Sequence, residues 1–235
     1  FLLLLIPVSR FRVNRSVDES AHKVSLESDV AIDKSLIAKL RAQPRIARFL
    51  FAYALYNDAV VTLALFVSLY LKKVLNFTDG QIRVASLVLL VFTIIGGLVV
   101  ARRVTNGREL KVISKFLIIW PVTILLFALC TGLVPVYVLI AIIGFAMSVI
   151  FAVSRAYYTI ITPKDQQAEY FSVFVIFERV GAIVGPLLWS LTISVSIWLG
   201  ADEPFAYRIA IVSVALITAI GYFILRSLHL EEKAK

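Results

Sequence analysis

The chain has a single cysteine, Cys130, and it lies inside an apolar run. No internal disulfide can form, and such a thiol reads as a small core or lipid-facing residue. The two histidines, His22 and His229, sit far apart at polar edges, so no metal site is indicated. No zinc or serine-nucleophile motif is present, and no cofactor is indicated. Charge is scarce, at 17% of residues, and what exists is segregated. Strict alternation of apolar and polar residues over segments of about ten is missing, which excludes a closed β-barrel. The net charge of +9 does not point to nucleic acid, because the bases flank apolar runs and form no compact basic domain.

What the chain has in abundance is apolar sequence, 60% of its residues. Long apolar stretches alternate with short polar ones, the pattern of an all-α membrane protein. Phe1–Val8 is too short to cross a bilayer and reads as the end of a truncated transmembrane helix. Residues 9–48 read as a cytoplasmic linker. The end of that stretch is amphipathic, with Leu36, Ile37 and Leu40 on one side and bases on the other. It reads either as a short helix on the membrane surface or as a solvated linker. Six spans are predicted within a bundle over residues 49–229: Phe49–Leu71, Val84–Ala101, Phe116–Leu133 with Pro121, Val136–Ile161 ended by Pro163, Phe171–Leu199 with Pro186, and Ile209–Leu225. Residues 230–235 form a tail.

Lysine and arginine set the orientation. Residues 9–48, 102–115, 155–170 and 226–235 carry nineteen bases, whereas the opposite loops carry four: Lys72, Lys73, Arg83 and Arg208. The excess places the linker and the C-terminus in the cytoplasm. The membrane is expected to be a bacterial inner membrane, or the vacuolar membrane in a eukaryote. The tight third-to-fourth connection around Gly132–Pro135 suits an antiparallel helix hairpin.

Asp58 lies within about one helical turn of the middle of the first span. A carboxylate at that depth costs roughly 2.5–3.5 kcal/mol, so an intramembrane acid marks a functional site by default. It belongs to a polar cluster with Tyr53, Tyr56, Asn57 and Thr62. Asp58 and Thr62 share one helix face, and Tyr53 and Asn57 share the adjacent stripe. The set suits a polar solute or a titrating proton site. Asp58 is either the proton-coupling residue or the counter-charge for a cationic group on the substrate.

The fifth span carries Glu178 and Arg179. As neighbours they point about 100° apart and cannot pair within the helix. Each needs a partner on another helix or a wet cavity, although Arg179 could also snorkel to the interface. Gly181 and Gly185, followed by Pro186, form a small-residue stripe that reads as helix packing or as a hinge. Arg155 and Glu169, at facing ends of the fourth and fifth spans, are expected to form a gating ion pair. The first and fifth spans should line an interior, with the uncharged third and sixth outside.

These features resemble the C-terminal half of a major facilitator superfamily transporter, in the branch of the vacuolar amino-acid effluxers of yeast autophagy and their bacterial relatives. The resemblance rests on Tyr56-Asn57-Asp58, the glycine-then-basic loop after the second span, SRAYYTIITPKDQQAEYF from Ser154 to Phe171, and Arg179 six residues before Gly185-Pro186. It covers roughly residues 48–190. Two departures stand out. No acid precedes Arg102 in the loop, and Glu178 replaces a small residue. The resemblance implies a six-helix half-bundle. It also implies an N-terminal six-helix half of the same chain as the other wall of the cavity.

The function so implied is secondary transport of a small polar solute, amino acids being the candidate class, across a lipid bilayer with proton coupling. A non-transporting scaffold on the same fold is the alternative. An aspartyl protease is disfavoured, because it needs two carboxylates in one site and Asp58 is the only aspartate at membrane depth. The topology predicts that single cysteines at Ser20 and Asp202, in a Cys130→Ser background, react with impermeant reagents from opposite sides of the membrane. Labelling from the same side would overturn the six-span arrangement.

Overall fold

The computed structural model describes residue 40 and residues 43–103 and 107–233, with side chains described as far as residue 228 apart from that of residue 103. The terminal stump, nearly all of the linker with its surface helix, and the last two residues lie outside the described residues. Six long helices follow: α1 (Pro44–Lys73), α2 (Asp79–Arg103), α3 (Glu109–Leu129), α4 (Leu133–Ile161), α5 (Gln167–Trp198) and α6 (Glu203–Lys233). A single 3-10 turn, Lys164–Gln166, precedes α5. All six helices are long and apolar enough to cross a membrane.

Each helix is longer than the apolar run that announced it. α1 begins at Pro44, so Arg45 and Arg48 belong to its first turns and not to the linker. α3 starts at Glu109 and α6 at Glu203, each six or more residues before its apolar core. A hydropathy reading stops where charge starts, but a helix does not. Charged residues cap the spans at interface depth, where their heads stay in water. Proline marks helix ends, as anticipated at Pro163 and unforeseen at Pro44. Pro44 occupies the first turn of α1, where its missing N–H costs nothing. Pro163 stops α4 by holding Thr162 extended, at ψ 142°. Pro121 and Pro186 sit inside α3 and α5.

The connections are short, so consecutive helices run antiparallel. We call the end where α1, α3 and α5 begin the near end, and the opposite one the far end. α1 packs along α5 and α6, α6 also packs on α3 and α5, and α4 packs on α3 and α2. α1 is the most buried of the six, while α2 and α5 are the least. Within this bundle α1 is central, whereas α3 and α6, expected to stand outside, are more buried than α5. α5 buries one stripe and leaves Val180, Ile183 and Leu187 exposed.

The far end is tied by polar links. Lys73 bridges Glu203 at 3.0 Å and Lys72 bridges Asp79 at 3.2 Å. The Tyr70 hydroxyl donates to the Ala128 carbonyl at 3.2 Å, and the Tyr137 hydroxyl donates to that of Gln81 at 3.2 Å. Such exposed ion pairs are worth about 0–1 kcal/mol each, so they orient the ends more than they hold them.

Backbone approach holds α2 to α4. A Cβ on Gly144 would stand 2.6 Å from the Leu89 carbonyl oxygen, and one on Gly96 would stand 2.7 Å from that of Phe145. The Thr93 hydroxyl, bonded to Leu89 at 2.7 Å, also reaches the Gly144 carbonyl at 3.3 Å. In lipid, where apolar burial drives little, such small-residue contact is the main source of helix attraction. Gly144→Ala must push α2 away, and overpacking of this kind costs about 1–3 kcal/mol. The expected result is a clear drop in thermal midpoint of the solubilised protein. Gly80→Ala, whose added Cβ meets nothing closer than 3.9 Å, should leave the midpoint unchanged.

Candidate functional site

The polar residues of α1 divide between two faces. Asp58 and Thr62 face α5. Asp58 Oδ1 accepts a hydrogen bond from the Gly185 backbone N–H at 2.7 Å. The bond is available because α5 has no side chains in the way. A Cβ on Gly185 would overlap the Thr62 hydroxyl and the Asp58 carboxyl, and one on Gly181 would stand 3.1 Å from the Ala54 carbonyl oxygen and 3.3 Å from Asp58 Cβ. The glycine stripe noted in the sequence is thus the seat for the acid of α1. Pro186 follows immediately inside α5, and a proline there leaves the carbonyl four residues back without its helical donor.

The other polar group faces away from α5's glycines. The Tyr56 hydroxyl and the Ser154 hydroxyl on α4 lie 2.8 Å apart, both fully buried. Behind Tyr56, Gly221 of α6 lets the two backbones close, its virtual Cβ 3.3 Å from Tyr56 Cβ. Tyr53 stacks on Phe174 of α5 with ring centroids 4.3 Å apart. The five residues of the sequence cluster therefore surround α1 and do not converge on one point. Ser154 as the partner of Tyr56 was not foreseen, because no spacing rule links residues on helices ninety-eight positions apart.

The acid lies between two aromatic layers. On the near side Phe49, Tyr53, Tyr157, Tyr158, Phe171 and Phe174 form a connected cluster of ring contacts. On the far side Phe66 stacks on Trp189 at 5.2 Å, and Trp189 meets Tyr207 edge-on. Between them three polar atoms, Asn57 Nδ2 and Oδ1 and Thr62 Oγ1, are buried and make no hydrogen bond. Unmade hydrogen bonds cost about 1–3 kcal/mol each. All three sit on α1 in the segment 57–62, so this stretch is poorly satisfied by the bundle alone.

Arg155 on α4 forms an ion pair with Glu178 on α5, Nη2 to Oε1 at 2.9 Å. The expected partner was Glu169, chosen because it is nearer in sequence. It sits in the first turn of α5, half-buried, and the pair to Arg155 does not form. α4 and α5 are not closely packed on each other, so the long arginine side chain reaches over to a carboxylate deeper along α5. Glu178 thereby has the partner on another helix that its depth demanded. Arg179 is exposed on the adjoining face. No group of three or more metal-ligating side chains occurs among the described residues.

Exchanging the charges, Arg155→Glu with Glu178→Arg, should recover the thermal midpoint that either single reversal lowers. A double-mutant cycle should show a coupling of about 0.2–1 kcal/mol, the range of half-exposed pairs. The same exchange between Arg155 and Glu169 should recover nothing. Equal recovery from both exchanges would show that only net charge at this end matters.

Comparison with known proteins agrees with this architecture. The sequence model of the family described as "Vacuole effluxer Atg22 like" matches residues 33–234. Autophagy-related protein 22 of Pichia angusta is 26% identical over 174 residues, which is 68% of this chain and 31% of that protein. The protein of the same name from Kluyveromyces lactis is 24% identical over 155 residues, 61% of this chain and 31% of its own. That from Eremothecium gossypii is 23% identical over 163 residues. The chain thus spans about a third of the length of the curated relatives it matches. With the match running through all six spans and the acid, glycine and proline positions of α1 and α5 inside it, the chain belongs to the vacuole effluxer Atg22-like family, a branch of the major facilitator type of membrane helix bundle.

Proposed function

We propose that this chain is the C-terminal six-helix half of a secondary transporter that moves a small polar solute by alternating access. Amino acids are the substrate class implied by the resemblance to the vacuolar amino-acid effluxers. The near end, which carries most of the bases, faces the cytoplasm. An N-terminal half of the same chain covers the charged face made by Arg155, Glu178 and Arg179, which hydrocarbon would not tolerate.

One observation carries the reading: a buried carboxylate, Asp58, bonded to the backbone of a second helix one residue before that helix's internal proline. A hydrogen bond to a charged acceptor contributes about 1.5–3 kcal/mol, against roughly 2.5–3.5 kcal/mol for placing the charge at this depth. The two nearly cancel, so the acid adds little net stability. An asparagine could accept the same bond without the charge, and an acid is kept where its proton or its charge is used. The bond also couples the state of Asp58 to the geometry of α5 at Gly185-Pro186. Loss or gain of a proton at Asp58 changes the strength of the bond, and α5 is the helix that carries Glu178 of the near-end ion pair. Proton movement at one depth is thus linked to opening at another, which is what coupling in a transporter requires.

Asp58→Asn retains the shape and the acceptor but removes the titratable proton. In the full-length protein, reconstituted in vesicles with an imposed pH gradient, accumulation of a mixture of labelled amino acids should fall at least about tenfold, a barrier change on the order of 1.4 kcal/mol. Folding, followed by thermal midpoint, should be intact. Normal transport with unchanged pH dependence would make Asp58 a structural hydrogen-bonding residue and remove the proton-coupling assignment.

A further inference from the structure

At the far end, two cavities open beside one another, the first on the seam between α3 and α6 and the second at the start of α6. The first is apolar, about 470 Å³, and is walled by Leu125, Ala128 and Leu129 of α3 and by Phe205, Arg208 and Val212 of α6. The second is smaller and polar, about 240 Å³, and is lined by Asp202, Pro204, Phe205 and Arg208. Phe205 and Arg208 line both, so the two spaces adjoin. We propose that together they bind one phospholipid whose head carries both a phosphate and a protonated amine.

The charges favour this occupant. At this end of the bundle Lys72 pairs with Asp79 and Lys73 with Glu203. Arg208 and Asp202 line the same small cavity without forming an ion pair. An arginine in this position is a ready phosphate ligand, since its planar fork offers several donors. The carboxylate of Asp202 calls for a cation with N–H donors. One ligand that brings both charges answers both residues.

The order of the groups along the membrane normal also matches. Asp202 precedes the first residue of α6. Arg208 lies five residues inside the helix, about 7 Å deeper at 1.5 Å per residue. Val212 and Leu125 lie one further turn down, at the depth of the apolar cavity. Amine, phosphate and acyl chain follow one another in the same sequence in such a lipid. Trp198, 83% exposed at the end of α5 and four residues before Asp202, marks the level of the headgroups. A choline head has no N–H for Asp202, and a glycerol head has no cation for it. Free phosphate would use Arg208 alone and leave the apolar groove empty.

The test is competitive retention of lipids by the full-length protein. Protein in detergent is mixed with equal amounts of phosphatidylethanolamine, phosphatidylcholine and phosphatidylglycerol of identical chains, and bound lipid is read by native mass spectrometry. Wild type should retain the ethanolamine lipid about tenfold over the other two, the factor expected for one charge-assisted hydrogen bond. Asp202→Asn should abolish that preference while still retaining lipid. Arg208→Gln should reduce retention of all three, and Arg208→Lys should restore part of it. Val212→Trp, which fills the groove and leaves the charges in place, should also displace lipid. Equal retention of the three lipids by wild type, preference for the glycerol lipid, or a preference that survives Asp202→Asn would overturn the proposal.

Discussion

Asp58 can be buried only because α5 brings a backbone amide to it, and α5 can do so only where residues 181 and 185 have no side chain. Much of the bundle follows from this contact. It sets the separation of α1 and α5 and the register between them. With Gly221 serving α6 in the same way on another face of α1, it makes α1 the centre of the half-bundle. The surrounding hydrocarbon offers no hydrogen bonds, so a polar atom on α1 must be met by a neighbouring helix or left unmet. Asp58 and Tyr56 are met, by Gly185 and Ser154. Asn57 and Thr62 retain buried atoms without partners.

The two ends of the bundle are held by different physics. At the far end several short links join neighbouring helices, each of them small in energy. At the near end aromatic stacking between α1, α4 and α5 supplies the bulk of the contact. There the Arg155–Glu178 pair joins α4 to α5, beside the buried Tyr158 hydroxyl, which donates to the Tyr170 carbonyl at 2.7 Å. The half-exposed position of the ion pair makes it weak and replaceable. Those are properties suited to a contact that forms in one conformation and parts in another.

Helix number, order and the tight α3–α4 connection were legible in the sequence because hydropathy and chain punctuation are local. The glycine stripe of α5 was legible for the same reason, and so was the place of Asp58 midway along its helix. What joins helices was not. Gly185 was visible as a packing residue, but nothing local said that its amide would face Asp58. Arg155 was matched with Glu169 because the turn between α4 and α5 brings them nearest in sequence. The splay of those helices sends the arginine to Glu178 instead. The role of Gly96 and Gly144 was missed because their partners, Phe145 and Leu89, are apolar residues offering only backbone oxygens. The breadth of each helix was underestimated wherever its ends are charged, most clearly at Arg45, Glu109 and Glu203.

The neighbours of α1 and α2 in space are not their neighbours in the chain. α2 rests mainly on α4, and α1 on α5 and α6. During synthesis α1 therefore enters the membrane long before α5 and α6 exist. Its acid meets its hydrogen-bond donor only after a further 127 residues have been made. Until then the nascent chain carries an unmatched carboxylate at membrane depth, a state that needs shelter from lipid within the insertion machinery or prompt protonation. The bundle is closed by its last two helices, so a ribosome that stops within α5 releases a product whose first helix has no stable place to be.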